Sequence, residues 1–142
     1  MTGASVRALS GVPHNVLGAD PVYLEDEAYI LKRGVGARSP ITTQADVHLA
    51  YGYPLSTGMR VEVFARVFNV FNTQEETDRD DTYTFDSVVP IVGGDLEDLR
   101  HIKTTDENGF EQNLTPTVNK NYGKLNARHA SRSVQLGARL TF

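Results

Sequence analysis

The sequence predicts an all-β fold, an antiparallel meander of about four long strands that forms part of a transmembrane β-barrel with two long extracellular loops. Three observations carry this expectation. Apolar and polar residues alternate with a period of two in three separate runs, which sends the two sets to opposite faces of a sheet. One short turn bounded by Pro and Gly joins two of these runs, while the other connections are very long. The last run, "VQLGARLTF", carries its alternation onto a final aromatic residue, whereas the ends of soluble domains are usually loose and polar.

Taken in chain order, "ASVRALS" alternates weakly and reads as a strand near residues 5–10. A connection over 11–43 follows, and within it "EAYILKR" suits a short strand of its own. In "QADVHLAYGY", Val47, Leu49, Tyr51 and Tyr53 share one face and Asp46, His48, Ala50 and Gly52 the other, a strand over 44–53. "PLSTG", residues 54–58, is a hairpin turn. "MRVEVFARVFNVFN" sets Met59, Val61, Val63, Ala65 and Val67 against Arg60, Glu62, Phe64, Arg66 and Phe68, a strand over 59–71. The stretch from 73 to 127 far exceeds the connections of compact soluble domains. It holds twelve acidic against five basic residues, leaving −7. The final strand, 131–142, places Val134, Leu136, Ala138, Leu140 and Phe142 opposite Gln135, Gly137, Arg139 and Thr141. There is no internal repeat and no linker between domains.

Composition removes several classes. With 142 residues the chain suffices for one ordinary domain. Without cysteine it has neither disulfides nor thiolate zinc sites. A net charge of −4 argues against nucleic-acid binding. The most apolar stretch, "VEVFARVFNVF", is too short for a helical span and contains Glu62, Arg66 and Asn69. The opening residues lack the apolar centre of a signal peptide. A barrel is the remaining way across a bilayer, because unpaired backbone amides in hydrocarbon are costly and only closed sheets pair them all. The strand lengths match the roughly 9–11 tilted residues that crossing requires. The apolar parity then faces lipid, and Tyr51, Tyr53 and Phe142 form an aromatic girdle at the short-turn rim, the periplasmic side.

The pattern "RSPITTQADVHLAYGYPLSTGMRVEVFARVFNVFN", a long loop, then "NYG" and "RSVQLGARLTF" resembles the C-terminal end of TonB-dependent outer-membrane receptors. "SGVPHNVLG" and "ILKRGVGARSP" look like the Oar-like subgroup, whose full members carry carboxypeptidase-regulatory-like domains. "VFNVFN" and "LGARLTF" are the most specific parts. The resemblance implies a barrel of roughly 22 strands around a plug, with active ligand uptake across the outer membrane of a Gram-negative bacterium. Four strands make this chain the C-terminal portion of such a receptor, a fragment. Its implied partners are outer-membrane lipid, the barrel-assembly machinery, the missing N-terminal barrel and plug, and through them TonB. Val134, Leu136, Leu140 and Phe142 resemble the signature that the assembly machinery reads.

Other candidate sites are weaker. Asp78, Asp80 and Asp81 in "DRDD" lack the spacing and glycine of a calcium loop. Gly34 and Gly36 have no phosphate-binding Lys-Ser/Thr pair after them. His14, His48, His101 and His129 are scattered, and "NLT" at Asn113 is assigned no role. No nucleophile motif accompanies the Ser, His and Asp residues, and the acidic residues fall in what reads as a mobile loop. The expectation is a non-enzyme without catalytic residues, metal or cofactor. Iron chelates, cobalamin, sugars and peptides all stay open as ligands. The alternative reading is a soluble or surface-exposed β-sheet interaction protein that binds through its acidic loop. Two unpaired sheet edges predict that the piece alone forms no stable monomer in water.

Overall fold

A computed structural model describes residues 1–21 and 28–142. It divides into two units, one made of Met1–Ser10, Ile41–Glu75 and His129–Phe142, the other of Gly11–Pro40 and Glu76–Arg128. Among the described residues the elements are, in chain order, β1 (Thr2–Leu9), β2 (Leu17–Ala19), β3 (Ala28–Tyr29), β4 (Thr42–Ser56), β5 (Met59–Phe68), β6 (Glu76–Arg79), β7 (Thr82–Ser87), a 3-10 helix (Leu96–His101), β8 (Leu125–Arg128) and β9 (Ser133–Thr141).

The first unit is an antiparallel sheet in the order β1-β4-β5-β9, and it closes no barrel. Its period-two alternation needs a pleated backbone, and its β-branched and aromatic residues suit that surface. β4 runs past the bounds read from sequence, so the turn contracts from residues 54–58 to Thr57 and Gly58, closed by the Ser56–Met59 pair. Gly58 has φ +84°, a conformation that glycine adopts without steric cost. β5 stops at Phe68 and does not reach residue 71, because Asn69 turns into left-handed backbone at φ +52°. Leu9 pairs with Thr42 and Phe68 with Ser133. Both long connections therefore leave the sheet at one end, opposite the Thr57–Gly58 turn.

Those connections build the second unit, where a mobile acidic loop was expected. Its core is Val16, Ile30, Leu31, Val88 and Ile102, with Val35, Tyr83, Ile91, Leu99 and Tyr122 packed around it. Each fully buried aliphatic side chain contributes about 1.5–3 kcal/mol. β2 lies between β3 and β7, antiparallel to β3 but parallel to β7. β6 pairs with β8. The 3-10 helix begins at a capping box in which Asp95 accepts from the Glu97 amide and Asp98 from the Asp95 amide. The short strand expected in "EAYILKR" is β3. Glu27, which opens that run in the sequence, lies outside the described residues.

Candidate functional site: a two-faced sheet

Register turns four alternating sequences into continuous rows. On one face Ala4, Val47, Val67 and Val134 lie abreast, and next to them Thr2, Leu49, Ala65 and Leu136. Towards the turn come Tyr51, Val63 and Ala138, then Tyr53, Val61 and Leu140. These residues are open to their surroundings: Leu136 is 76% exposed, Tyr51 68% and Val134 63%. An apolar face of this extent is unusual on a soluble monomer.

The opposite face is polar and structured. Glu62 stands across from Arg139, Arg66 lies between His48 and Gln135, and the Arg7 guanidinium donates to the Gln44 side-chain carbonyl. Phe64 lies across from Gly137 on β9 and from Ala50 on β4. Its ring stands edge-on to His48 at 6.3 Å, with the Arg66 guanidinium 5.1 Å from its centre. A Cβ at Gly137 would overlap that ring. Gly137→Val is therefore expected to displace Phe64 and cost about 1–3 kcal/mol, the usual penalty for overpacking. Loss of ring-current shifts at His48 would report the displacement, and unchanged shifts would contradict this packing.

At the loop end the sheet is tied by Asn69, only 4% exposed. Its amide N–H donates to Asp46 Oδ1 at 2.9 Å. Its Nδ2 donates to the carbonyls of Thr73 and Ala130, both at 2.8 Å, and its Oδ1 accepts from the Thr73 amide at 3.0 Å. The Val70 amide donates to the Ala45 carbonyl, and the Thr73 hydroxyl to the Thr43 carbonyl. Asn72, also left-handed at φ +54°, accepts from the Arg132 amide. One side chain and its neighbours thus join β4, the end of β5 and the approach to β9.

In the second unit, His14 Nδ1 lies 3.2 Å from Asp81 Oδ1 and its Nε2 3.1 Å from Ser39 Oγ. Asp81 Oδ2 also accepts from the Asn15 amide at 2.7 Å. The order Ser–His–Asp matches a hydrolytic triad. However, Ser39 is 7% exposed and does not line the adjoining 190 Å³ cavity, which has His14, Arg79, Asp81 and Tyr122 on its walls. The array works as a tie between segments. Burial, then the Asp81 charge, pushes the half-buried Tyr122 hydroxyl above its usual pKa. Arg79 grips Glu76 through Nε and through Nη2 at 2.8 Å, and these bonds hold the Glu76 carboxyl below the ordinary carboxylate value of 4.5. A carboxyl depressed in the folded state stabilises fully above its unfolded pKa, and that contribution is lost as pH falls through the folded value. Glu76→Gln is expected to weaken hydrogen-exchange protection of the β6 and β8 amides at neutral pH and to flatten its decline below about pH 4.5. A variant that keeps the wild-type acid profile would discount the pair.

The chain is 35% identical over 147 aligned residues to the TonB-dependent transporter Oar of Myxococcus xanthus, a match covering 99% of this chain and 14% of that protein. This chain is related to a TonB-dependent transporter. It spans about one seventh of its relative's length. No family model matches the chain, and no solved structure does.

The match to Oar extends over both units. On the sheet, Val134, Leu136 and Leu140 stand in the apolar rows, and Phe142 lies just past β9 at 93% exposure. Tyr51, Tyr53 and Phe142 come to the turn end, since Tyr53 pairs with Val61 and Thr141 with Arg60. Two features escaped the sequence reading. The His14 cluster joins residues 25 and 67 positions apart, and no local motif announces it. The Asn69 tie was visible only as the "VFNVFN" signature, without its physical role.

Proposed function

We propose that the four-stranded sheet is a stretch of outer-membrane β-barrel wall in a TonB-dependent receptor of the Oar-like subgroup, serving active uptake of a ligand. The observation that carries this reading is the exposed apolar face running in register across four strands, two of them 10 and 9 residues long. Lipid accepts such a face, whereas water does not. The unpaired edges of β1 and β9 then call for strands from the rest of a longer receptor, together with its plug and TonB contact. Residues Tyr51, Tyr53 and Phe142 sit in the periplasmic interface, and the second unit faces outside the cell. Val134, Leu136, Leu140 and Phe142 form the row offered to the barrel-assembly machinery. The role is transport and not catalysis.

The absence of cysteine in the chain makes single cysteines specific reporters. Phe110→Cys, at 69% exposure, is expected to react with an impermeant maleimide on intact cells. Thr57→Cys is expected to react only after the outer membrane is opened. A fluorophore on Leu136→Cys should be quenched by brominated lipid. Equal labelling of all three in a soluble fraction would instead support a soluble β-sheet interaction protein.

A further inference from the structure

We infer that Phe64 and Gly137 form the joint that fixes the register of the last strand, β9, against β5. The alternation of β9 leaves that register open. A slide of one residue would turn its apolar set to the polar face, whereas a slide of two keeps every side chain on its proper face. Val63 faces Ala138. After a slide of two it would face Leu136 or Leu140, and the apolar rows would still be apolar. The β4–β5 hairpin escapes this ambiguity, because the Thr57–Gly58 turn sets its register. No such turn precedes β9, which residues 69–132 separate from β5 in the chain.

The choice between registers falls to an aromatic residue on the polar parity. Phe64 shares its face with Arg60, Glu62 and Arg66. Its ring lies over Gly137, where a Cβ would overlap it. Gly137 is half-buried, while every other residue of β9 is exposed. His48 and the Arg66 guanidinium pack against the same ring, which restricts its freedom to swing aside. A slide of two would bring Gln135 or Arg139 under the ring in place of Gly137. Ser133, Gln135, Arg139 and Thr141, the other residues of β9 on this face, all carry a Cβ. One register alone is therefore free of overlap.

β5 repeats the arrangement on its other side. The Arg60 guanidinium covers Gly52 of β4, and a Cβ there would overlap it. Gly3 lies on β1, which does not adjoin β5, and has open space where a Cβ would stand. The gap left by a glycine is filled where β5 lies alongside and stays empty where it does not. The facing of Glu62 and Arg139 agrees with the observed register, but an exposed charge pair discriminates weakly. Asn69 and Asn72 hold the Ala130 carbonyl and the Arg132 amide. Those bonds place the approach to β9, and the joint acts inside the strand itself.

The test is disulfide trapping in the full-length protein in detergent micelles, with Val63→Cys paired in turn with Leu136→Cys, Ala138→Cys and Leu140→Cys. Residues directly opposite each other lie within reach of a disulfide, and diagonal ones do not. Mild oxidation, with the linked tryptic peptides identified by mass spectrometry, should trap the pair at Ala138 and little of the other two. Phe64→Ala is expected to lower the ratio of native to slipped pairs about fivefold or more, the lower end of the penalty for an overpacked contact. Phe64→Tyr keeps the ring and should keep the parent ratio. Moving the gap, with Gly137→Thr and Arg139→Gly together, should make the pair at Leu140 dominant. Leu49→Cys with Ala65→Cys, across the hairpin, should link equally in every variant and shows that the sheet still forms. A parent-like ratio in Phe64→Ala, or a dominant pair at Ala138 after the glycine is moved, would place the control of register elsewhere and overturn the joint.

Discussion

On the barrel-wall reading proposed above, Leu136→Arg is expected to destabilise the protein by about 2–4 kcal/mol in lipid, the cost of arginine near the bilayer midplane on the outside of a barrel. Leu136 stands in a central row beside Ala65 and Leu49 and is already 76% exposed. In water an arginine at such a position is nearly free, because exposed substitutions usually change stability by less than about 0.5 kcal/mol. The neighbouring Gln135 points to the polar face beside Arg66, so Gln135→Arg should stay within that smaller range in either medium. Denaturant unfolding of the full-length protein refolded into phospholipid vesicles measures both. Equal effects of the two substitutions would mean that the apolar rows do not face lipid.

Asn69→Ala is expected to cost about 3 kcal/mol or more, because it strips partners from the Thr73 amide and from the Thr73 and Ala130 carbonyls inside a shielded site. It also places a Cβ-bearing residue that lacks the local hydrogen bonds of Asn in left-handed backbone, a further cost of roughly 1 kcal/mol. Asn69→Gly separates the two causes: it relieves the backbone term but still loses the side-chain bonds, and so should be milder than alanine without reaching wild type. Hydrogen exchange at the Thr73 amide should quicken in both variants. A wild-type unfolding midpoint for Asn69→Ala would show that the tie does not hold the sheet end.

The legible part of this protein was the part governed by local period. Residues 44–53 and 131–142 announced strands because every second side chain is apolar, whereas their register was read only from the paired strands. The loop unit was illegible for the opposite reason. Val16, Ile30, Val88 and Ile102 come from distant points of the chain, each in a stretch too short to show a period. β2 and β7 are parallel neighbours from different connections, a pairing without any hairpin signal. His14, Ser39 and Asp81 meet only because those pieces fold together, which is why four scattered histidines looked alike.

By itself, then, the sequence determined the two-faced character of the sheet, its hairpin and the polarity of each face, since alternation acts residue by residue along a strand. Tertiary structure alone decided that 11–40 and 76–128 share a core, where β5 ends, and that His14, Ser39 and Asp81 meet. Those outcomes depend on contacts between residues tens of positions apart, and burial rewards such contacts only after the chain has closed the intervening loops.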